Sequence, residues 1–403
     1  MKEYLKRMIQ LGEITIINSL TPILTWVLLG FIANNKNLIN IFSLTYSVQF
    51  LPYMFLALFV TGNIIGNKKK ILDNGYIYSG IIVSNVIAFI VMLITTCNIE
   101  NTMNFIGIKD QSYTNWFLYS LWFMFLQVPL TQILELLYFE NKDNEAKKIS
   151  FTFNLLYCAT INIIYICIKN ELLSVSISIF ILAIYIYYQV IKQIKPFKFK
   201  FNVFKGTKYQ LSVISSNLMM FIIYLFGMKS VFEYSPDFAL AVSFCSILTD
   251  TQWDMIINSI CTVSKVEISN GTCKIKELMS ASKIYVMIMA LSMWILLLFG
   301  YYIYYPKLEF VITILLIETI DMLFVQTRYV KQSWIDIEIR SKWSVYLVMM
   351  TKIIRMLISI SGISIYALWI AQGVNGIVNA VGFNLLYKKY TKYDTLHYYK
   401  PSH

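Results

Sequence analysis

Apolar runs of about twenty residues follow one another along this chain, separated by short basic loops, and they leave it few choices of fold. Twelve runs can be read, at approximately 14–33, 38–66, 76–98, 115–138, 149–168, 172–191, 209–232, 238–264, 284–305, 308–330, 345–368 and 369–387. A helix of about twenty residues crosses the roughly 30 Å hydrocarbon core of a bilayer. Inside hydrocarbon every backbone N–H and C=O must be bonded within the protein, so each run is expected to be helical. Pro22, Pro52 and Pro129 fall inside runs and predict kinks. Hydrophobic residues make up 58% of the chain and charged residues 14%. A soluble domain carries roughly 45–50% and 25%, and a single core stops growing at about 250–300 residues. Bilayer is the natural solvent for the surplus.

The count of twelve has an internal test. Short cytoplasmic loops of a membrane protein collect Lys and Arg. If the runs are correctly numbered, every second loop should be basic. One set of loops holds only Lys36, Lys109, Lys169, Lys229 and Lys307, and Lys352 and Arg355 lie within the eleventh run; the other 27 of the 34 basic residues fall in the alternate set. A miscounted helix would scramble the alternation from that point on, and it never scrambles. The net charge of +12 is therefore read as a topology signal and not as a nucleic-acid footprint. Both termini are expected in the cytoplasm, in a multi-pass cell-membrane protein. The basic, then apolar, N-terminus lacks a small-residue cleavage site and reads as an uncleaved first helix. Tyr76, Tyr78, Trp116, Tyr119, Tyr301, Tyr302, Tyr304 and Tyr305 cluster near run ends, where an interfacial aromatic belt belongs.

The chain also reads as doubled. A Lys-rich stretch separates six runs from six, predicting an N-terminal six-helix bundle at 1–191, a cytoplasmic linker at 192–208, a C-terminal bundle at 209–390 and a cytoplasmic tail at 391–403. The second and eighth runs are both long, and both lead into a basic loop with an Asn-Gly pair, Asn74-Gly75 and Asn270-Gly271. Each half opens with a basic amphipathic stretch, Lys2 to Arg7 and Lys198 to Lys208. Six crossings preserve orientation, so the repeat is parallel, about an axis along the membrane normal. The fold class is thus all-α and polytopic, two six-helix bundles with twelve transmembrane helices.

The absences exclude much. The two histidines, His397 and His403, lie in the tail, which removes histidine acid/base and metal chemistry from the core. No G-x-x-x-x-G-K-[ST] run and no G-x-G-x-x-G occurs, so neither a P-loop nor a dinucleotide fold fits. The six cysteines form no C-x-x-C pair and read as small packing residues. No cofactor, no enzymatic activity and no nucleic-acid partner are expected.

Several segments carry a resemblance. Leu20-Thr21-Pro22-Ile23 places a proline in the first span; Phe59-Val60-Thr61-Gly62-Asn63-Ile64-Ile65-Gly66 closes the second on a glycine before a basic loop; and Glu140-Asn141-Lys142-Asp143-Asn144 leads into the Asn154-bearing fifth span. With the six-plus-six layout, the chain resembles the multidrug and toxic compound extrusion (MATE) family and the wider MOP flippase superfamily. That resemblance implies two bundles around a V-shaped cleft and export driven by inward flow of Na+ or H+. It also departs from the pattern: Thr21 to Ala33 holds no acidic residue, and Glu13 alone sits near the start of the first span.

Carboxylates within spans cost about 2.5–3.5 kcal/mol each on insertion scales and are functional candidates by default. Asp250 and Asp254 share a face of the eighth run by their spacing of four. Two carboxylates on one cavity repel, and a bound cation relieves the repulsion; Gln252, Asn258, Thr249 and Thr251 would add neutral oxygens suited to Na+. Glu318 and Asp321 share a face of the tenth run, where the resemblance implies an acidic residue near the C-terminal cavity. For each pair the alternative is a brace to neighbouring helices. Glu135 reads as structural, and Lys352 and Arg355 as snorkelling to the inner surface, the alternative being that they pair with the tenth-run acids. Trp253, Met255, Phe221, Met219 and Met220 are candidates for an amphipathic-substrate lining.

Three functions compete. The first is a monomeric, cation-coupled antiporter exporting small amphipathic organic compounds. The second, in the same superfamily, is a flippase for a lipid-linked oligosaccharide, which needs cationic residues in the cavity; Lys352 and Arg355 are its candidates. The third is a membrane-embedded polysaccharide enzyme, which would need catalytic Arg or His in a long outer loop; the stretch from Ile99 to Thr114 has neither.

Overall fold

The computed structural model describes residues 1–35, 53–106, 110–219, 236–271, 273–304, 308–360 and 366–397, with positions 38 and 223; within these, the side chains of 53–55, 105–106, 236–248, 250–251, 254, 296–304, 308, 310–311, 360, 368 and 392–397 fall outside the description. Among the described residues the structure is helical, with no strand. The helices are α1 (Lys2–Ile32), α2 (Tyr53–Lys68), α3 (Asn74–Cys97), a short α4 (Ile99–Ile106), α5 (Thr114–Phe139), α6 (Asp143–Ile168), α7 (Glu171–Gln193), α8 (residues 211–219), α9 (Pro236–Ser269), α10 (Ile275–Tyr304), α11 (Leu308–Val325), α12 (Arg328–Trp334), α13 (Lys342–Ile360) and α14 (Ala367–His397). Setting aside the short α4 and α12, each falls on one of the twelve apolar runs. Six stretches, among them α1, α3, α6 and α7, are long and apolar enough to cross a membrane on the described residues alone. Exposed Leu24, Phe31, Ile163, Phe180, Leu291 and Leu357 form an apolar outer surface, as lipid contact requires. The chain is a multi-pass membrane protein.

Local sequence explains several details. α1 and α5 run unbroken through Pro22 and Pro129; Pro52 lies outside the described residues. The last span overturns one expectation. Ala371, Gln372 and Gly373 read as the break between the last two runs, yet all three are helical within α14. Gln372 survives there because partners on two other helices occupy its amide. α14 also continues to His397, beyond the boundary drawn at 390.

Within the N-terminal half, polar side chains stitch α3 to α5: Asn85 donates to Gln132 (2.7 Å), and Gln132 donates to Ser84 (2.6 Å). Trp26 donates to the Tyr157 hydroxyl (2.8 Å), whose ring stacks on Tyr119. α1 packs against α6 in its own half and against α9 and α10 of the other. It is thus the principal cross-half element.

The connector between halves is docked and not loose. Residues 194–200 take no regular secondary structure, and Lys205–Tyr209 forms a 3-10 turn. Asn63 of α2 holds it: its amide nitrogen donates to the carbonyls of Val203 (2.7 Å) and Tyr76 (2.9 Å), and its oxygen accepts from Gly206 N–H (3.0 Å). A β-carbon on Gly206 would overlap the backbone of Gly62 and Asn63. Gly206→Ala is therefore expected to lower the melting temperature of the purified protein by the equivalent of about 1–3 kcal/mol, the usual cost of overpacking. Gly271→Ala, which meets nothing within 4 Å, is the comparison, its cost confined to the positive φ. Equal melting of Gly206→Ala and wild type would show that the connector is not clamped.

The halves are also tied at the face where the basic loops gather. Arg7 of α1 donates to Asp143 at 3.0 Å and to the carbonyl of Tyr138 at 2.8 Å, both in its own half, and to Glu267 of α9 at 3.1 Å. The N-terminal ammonium pairs with Glu277 (2.6 Å), and Lys69 with Glu338 (2.6 Å).

Candidate functional site

A partly open cavity of about 320 Å³ lies where the two halves meet. From the N-terminal half, Ala57 and Leu58 of α2 and Thr131 and Glu135 of α5 form one wall. The C-terminal half supplies the rest, from α8, α9, α11 to α14. Charge divides unevenly. Among the described residues, Lys265, Arg328, Lys352 and Arg355, all from the C-terminal half, face two carboxylates, Glu135 and Asp321. Each of the four cations is only 6% exposed, so they are embedded in the protein and not turned to bulk solvent.

Helix periodicity places these groups. Lys352 and Arg355 lie three apart on α13 and share a face, and packing turns that face inward. The snorkelling expectation is therefore corrected: both side chains are buried at the cavity wall. The Arg355 guanidinium donates to Gln372 Oε1 (3.0 Å), and Gln372 Nε2 donates to Glu318 (3.1 Å). Trp253 Nε1 also donates to the same Glu318 oxygen. An amide thus links a cation and a carboxylate that do not touch.

Asp321 is held differently. Gln372, Asn375, Gly376 and Asn379 form one stripe of α14, at spacings of three, four and seven. Its gap is Gly376, where a β-carbon would fall on Asp321 Oδ1. The glycine lets the carboxylate lie against the backbone of α14. Asn379 continues the stripe, donating to Thr351 of α13 (2.8 Å).

The structure sorts the sequence candidates. Asp321 and Asn258 line the cavity, and Trp253 joins them. Glu318 stands one shell behind, fastened by Trp253 and Gln372. Gln252 is buried and accepts from Ser292 of α10 (3.1 Å), away from the cavity. The side chains of Asp250 and Asp254 lie outside the described residues, as do Phe221 and Met220. Met219 and Met255 are buried elsewhere. Glu135, read as structural, stands on the cavity wall.

Two groups escaped sequence reading. Arg328 and Lys265 were counted as loop charges, because each lies at a run's edge. Asp336 sits in the turn between α12 and α13, on a π-helical loop at Ile335–Ile339. It accepts from Ser212 and from Ser344 (2.6 Å). Burial pushes its carboxyl up to about 6, against the pull of those hydroxyls. A buried acid among basic loop residues has no sequence signature. The stripe on α14 did have one, in its helical spacing.

These observations define a class: a polytopic helical membrane protein with a charged cavity between two bundles. No family profile and no curated protein matches the chain. Solved structures do. A eukaryotic MATE transporter matches with TM-score 0.69 at 12% identity, over 95% of each chain. A MOP superfamily transporter from Pyrococcus furiosus, described as having a binding pocket of reverse polarity that suggests a different function, matches with TM-score 0.68 at 13% identity, over 96% of this chain and 95% of that one. A multidrug-resistance MATE transporter in an outward-facing conformation matches with TM-score 0.68 at 12% identity, over the same shares. The chain has the fold of MATE transporters of the MOP superfamily, as the sequence resemblance implied.

Proposed function

We propose that this protein is an alternating-access transporter whose cavity carries an amphipathic anion across the membrane. The observation that supports this most is the wall of Lys265, Arg328, Lys352 and Arg355, four buried cations that stand with Glu135 and Asp321 among the described residues. Four buried cations on one wall make the cavity a site for negative charge. A phosphate or diphosphate headgroup would supply it through charge-assisted hydrogen bonds from the arginine forks. Among the superfamily readings this favours the lipid-linked sugar flippase over the exporter of varied organic compounds. Rocking of one bundle against the other would expose the cavity to each side in turn.

Coupling to a cation is the second part of the reading. Asp321 shares the cavity with the four cations, which would repel a further metal ion there. A proton therefore suits this carboxylate better than Na+ does. Asp250 and Asp254 stay the candidates for a separate Na+ site.

Proteoliposome transport tests both parts. An NBD-labelled prenyl diphosphate is the probe, with the NBD-labelled prenol and ethidium as comparators, under imposed proton and sodium gradients. The diphosphate should be moved and the neutral prenol left. Lys352→Gln and Arg355→Gln should each slow transport at least tenfold, the loss of roughly one charge-assisted contact worth about 1.5–3 kcal/mol. Ethidium transport that outpaces the diphosphate would overturn the anion reading. Normal coupled transport by both Asp250→Asn and Asp254→Asn would remove the eighth-span coupling site.

A further inference from the structure

The connector carries chemistry that the cavity does not use. Its sequence alternates aromatic and basic residues: Phe197, Lys198, Phe199, Lys200, Phe201, then Phe204 and Lys205. Phe197, Phe199 and Phe201 follow one another as a row along the chain. Phe197 packs on Tyr78 with ring centroids 5.4 Å apart, Phe199 meets Phe201 edge-on at 5.6 Å, and Phe201 is 93% exposed. The row starts on the protein and runs off it. The segment joins the end of α7 to the start of α8, two spans, so it lies at the membrane–water boundary on the face of the basic loops.

Its lysines divide into two groups. Lys192, Lys195 and Lys200 have carboxylates at hand: Glu145 at 3.8 Å, Glu140 at 4.0 Å and Asp73 at 2.8 Å. Lys198, Lys205 and Lys208 are exposed and make no ion pair among the described residues. Lys205 and Lys208 lie 5.4 and 5.5 Å from the ring centres of Tyr76 and Tyr209, which leaves their net charge in place. The clamp by Asn63 and Gly206 holds this arrangement rigid. An exposed aromatic row beside uncompensated lysines, fixed at the headgroup level, is a surface for anionic lipid.

We propose that the connector is a docking site for anionic phospholipid headgroups, with Phe199 and Phe201 inserted among the lipids and Lys198, Lys205 and Lys208 reading their charge. The occupant is chosen by complementarity: lysine near an anionic leaflet gains about fivefold in partitioning per residue, and an aromatic ring suits the headgroup boundary. Zwitterionic lipid would satisfy the rings and not the lysines.

Site-specific photocrosslinking tests it. A benzophenone amino acid replaces Phe201 in the full chain, held in nanodiscs of equal phosphatidylglycerol and phosphatidylcholine. Mass spectrometry reads the adducts. Lipid adducts should form, with phosphatidylglycerol favoured at least fivefold. The triple variant Lys198→Gln, Lys205→Gln, Lys208→Gln should keep the adducts and bring the ratio close to one, with its melting temperature in detergent unchanged. Adducts only to the protein itself, or an equal lipid ratio in the unsubstituted lysine background, would overturn the proposal. The readout is independent of transport, so it stands apart from the cavity assignment.

Discussion

Gly376→Ala should abolish most transport and unfold the protein at markedly lower temperature, and a second substitution should repair only one of those losses. The β-carbon of alanine would occupy the position of Asp321 Oδ1. α14 and α11 are packed helices, so neither backbone can move away cheaply, and the carboxylate must swing into the cavity. Overpacking of this kind costs about 1–3 kcal/mol, here with a displaced carboxylate added. Asp321→Ala made in the Gly376→Ala background removes the clash. Melting temperature should then return close to wild type, while transport of the diphosphate probe stays low because the cavity has lost its carboxylate. Coupling of this sign between touching residues is what a double-mutant cycle reads. Independent, additive losses in stability would mean that Asp321 does not rest against Gly376.

The second large effect is conformational. Arg7→Gln should shift the protein toward a state in which the halves separate on the basic-loop face. Arg7 joins Asp143 of its own half to Glu267 of the other, and the three side chains are only 12%, 20% and 18% exposed. Without the guanidinium, the two carboxylates lose the cation that they share. Breaking a fully buried pair costs about 3–5 kcal/mol. Partial exposure reduces this to about 2 kcal/mol by the same argument, or roughly thirtyfold in the ratio of open to closed. Spin labels at Lys70→Cys and Lys276→Cys, exposed positions in the two halves, report the separation by pulsed dipolar spectroscopy once the native cysteines are replaced. A longer-distance population should grow in Arg7→Gln and in Glu267→Gln, and much less in Asp143→Asn, whose carboxylate lies in the same half as Arg7. An unchanged distance distribution in Arg7→Gln would show that the remaining contacts of α1 with α9 and α10 hold the halves together.

How far each feature was legible follows from what it depends on. The helices fall on the apolar runs because burial in lipid acts on each segment separately. The acids of α11 share a face through local spacing, and that too was readable. Which acid meets the cavity was not: Asp321 reaches it and Glu318 is capped by Trp253 and Gln372, although they are three residues apart. Lys352 and Arg355 illustrate the same limit. Long basic side chains near a span end can snorkel or turn inward, and the choice lies with the helix that packs over them. Gln372 reads as a break in hydropathy, because the hydropathy of an amide takes no account of Arg355 and Glu318 waiting on either side.

The sequence by itself determined the number of spans, the basic-loop face and the doubling, since hydropathy and loop charge are properties of each segment against its solvent. Only the tertiary structure decided that four cations share one chamber, that a glycine on the last span makes room for a carboxylate, and that the connector is clamped with its aromatic row outward. Those depend on the rotation of each helix about its own axis, which is set by the neighbours it packs against and by nothing in the segment alone.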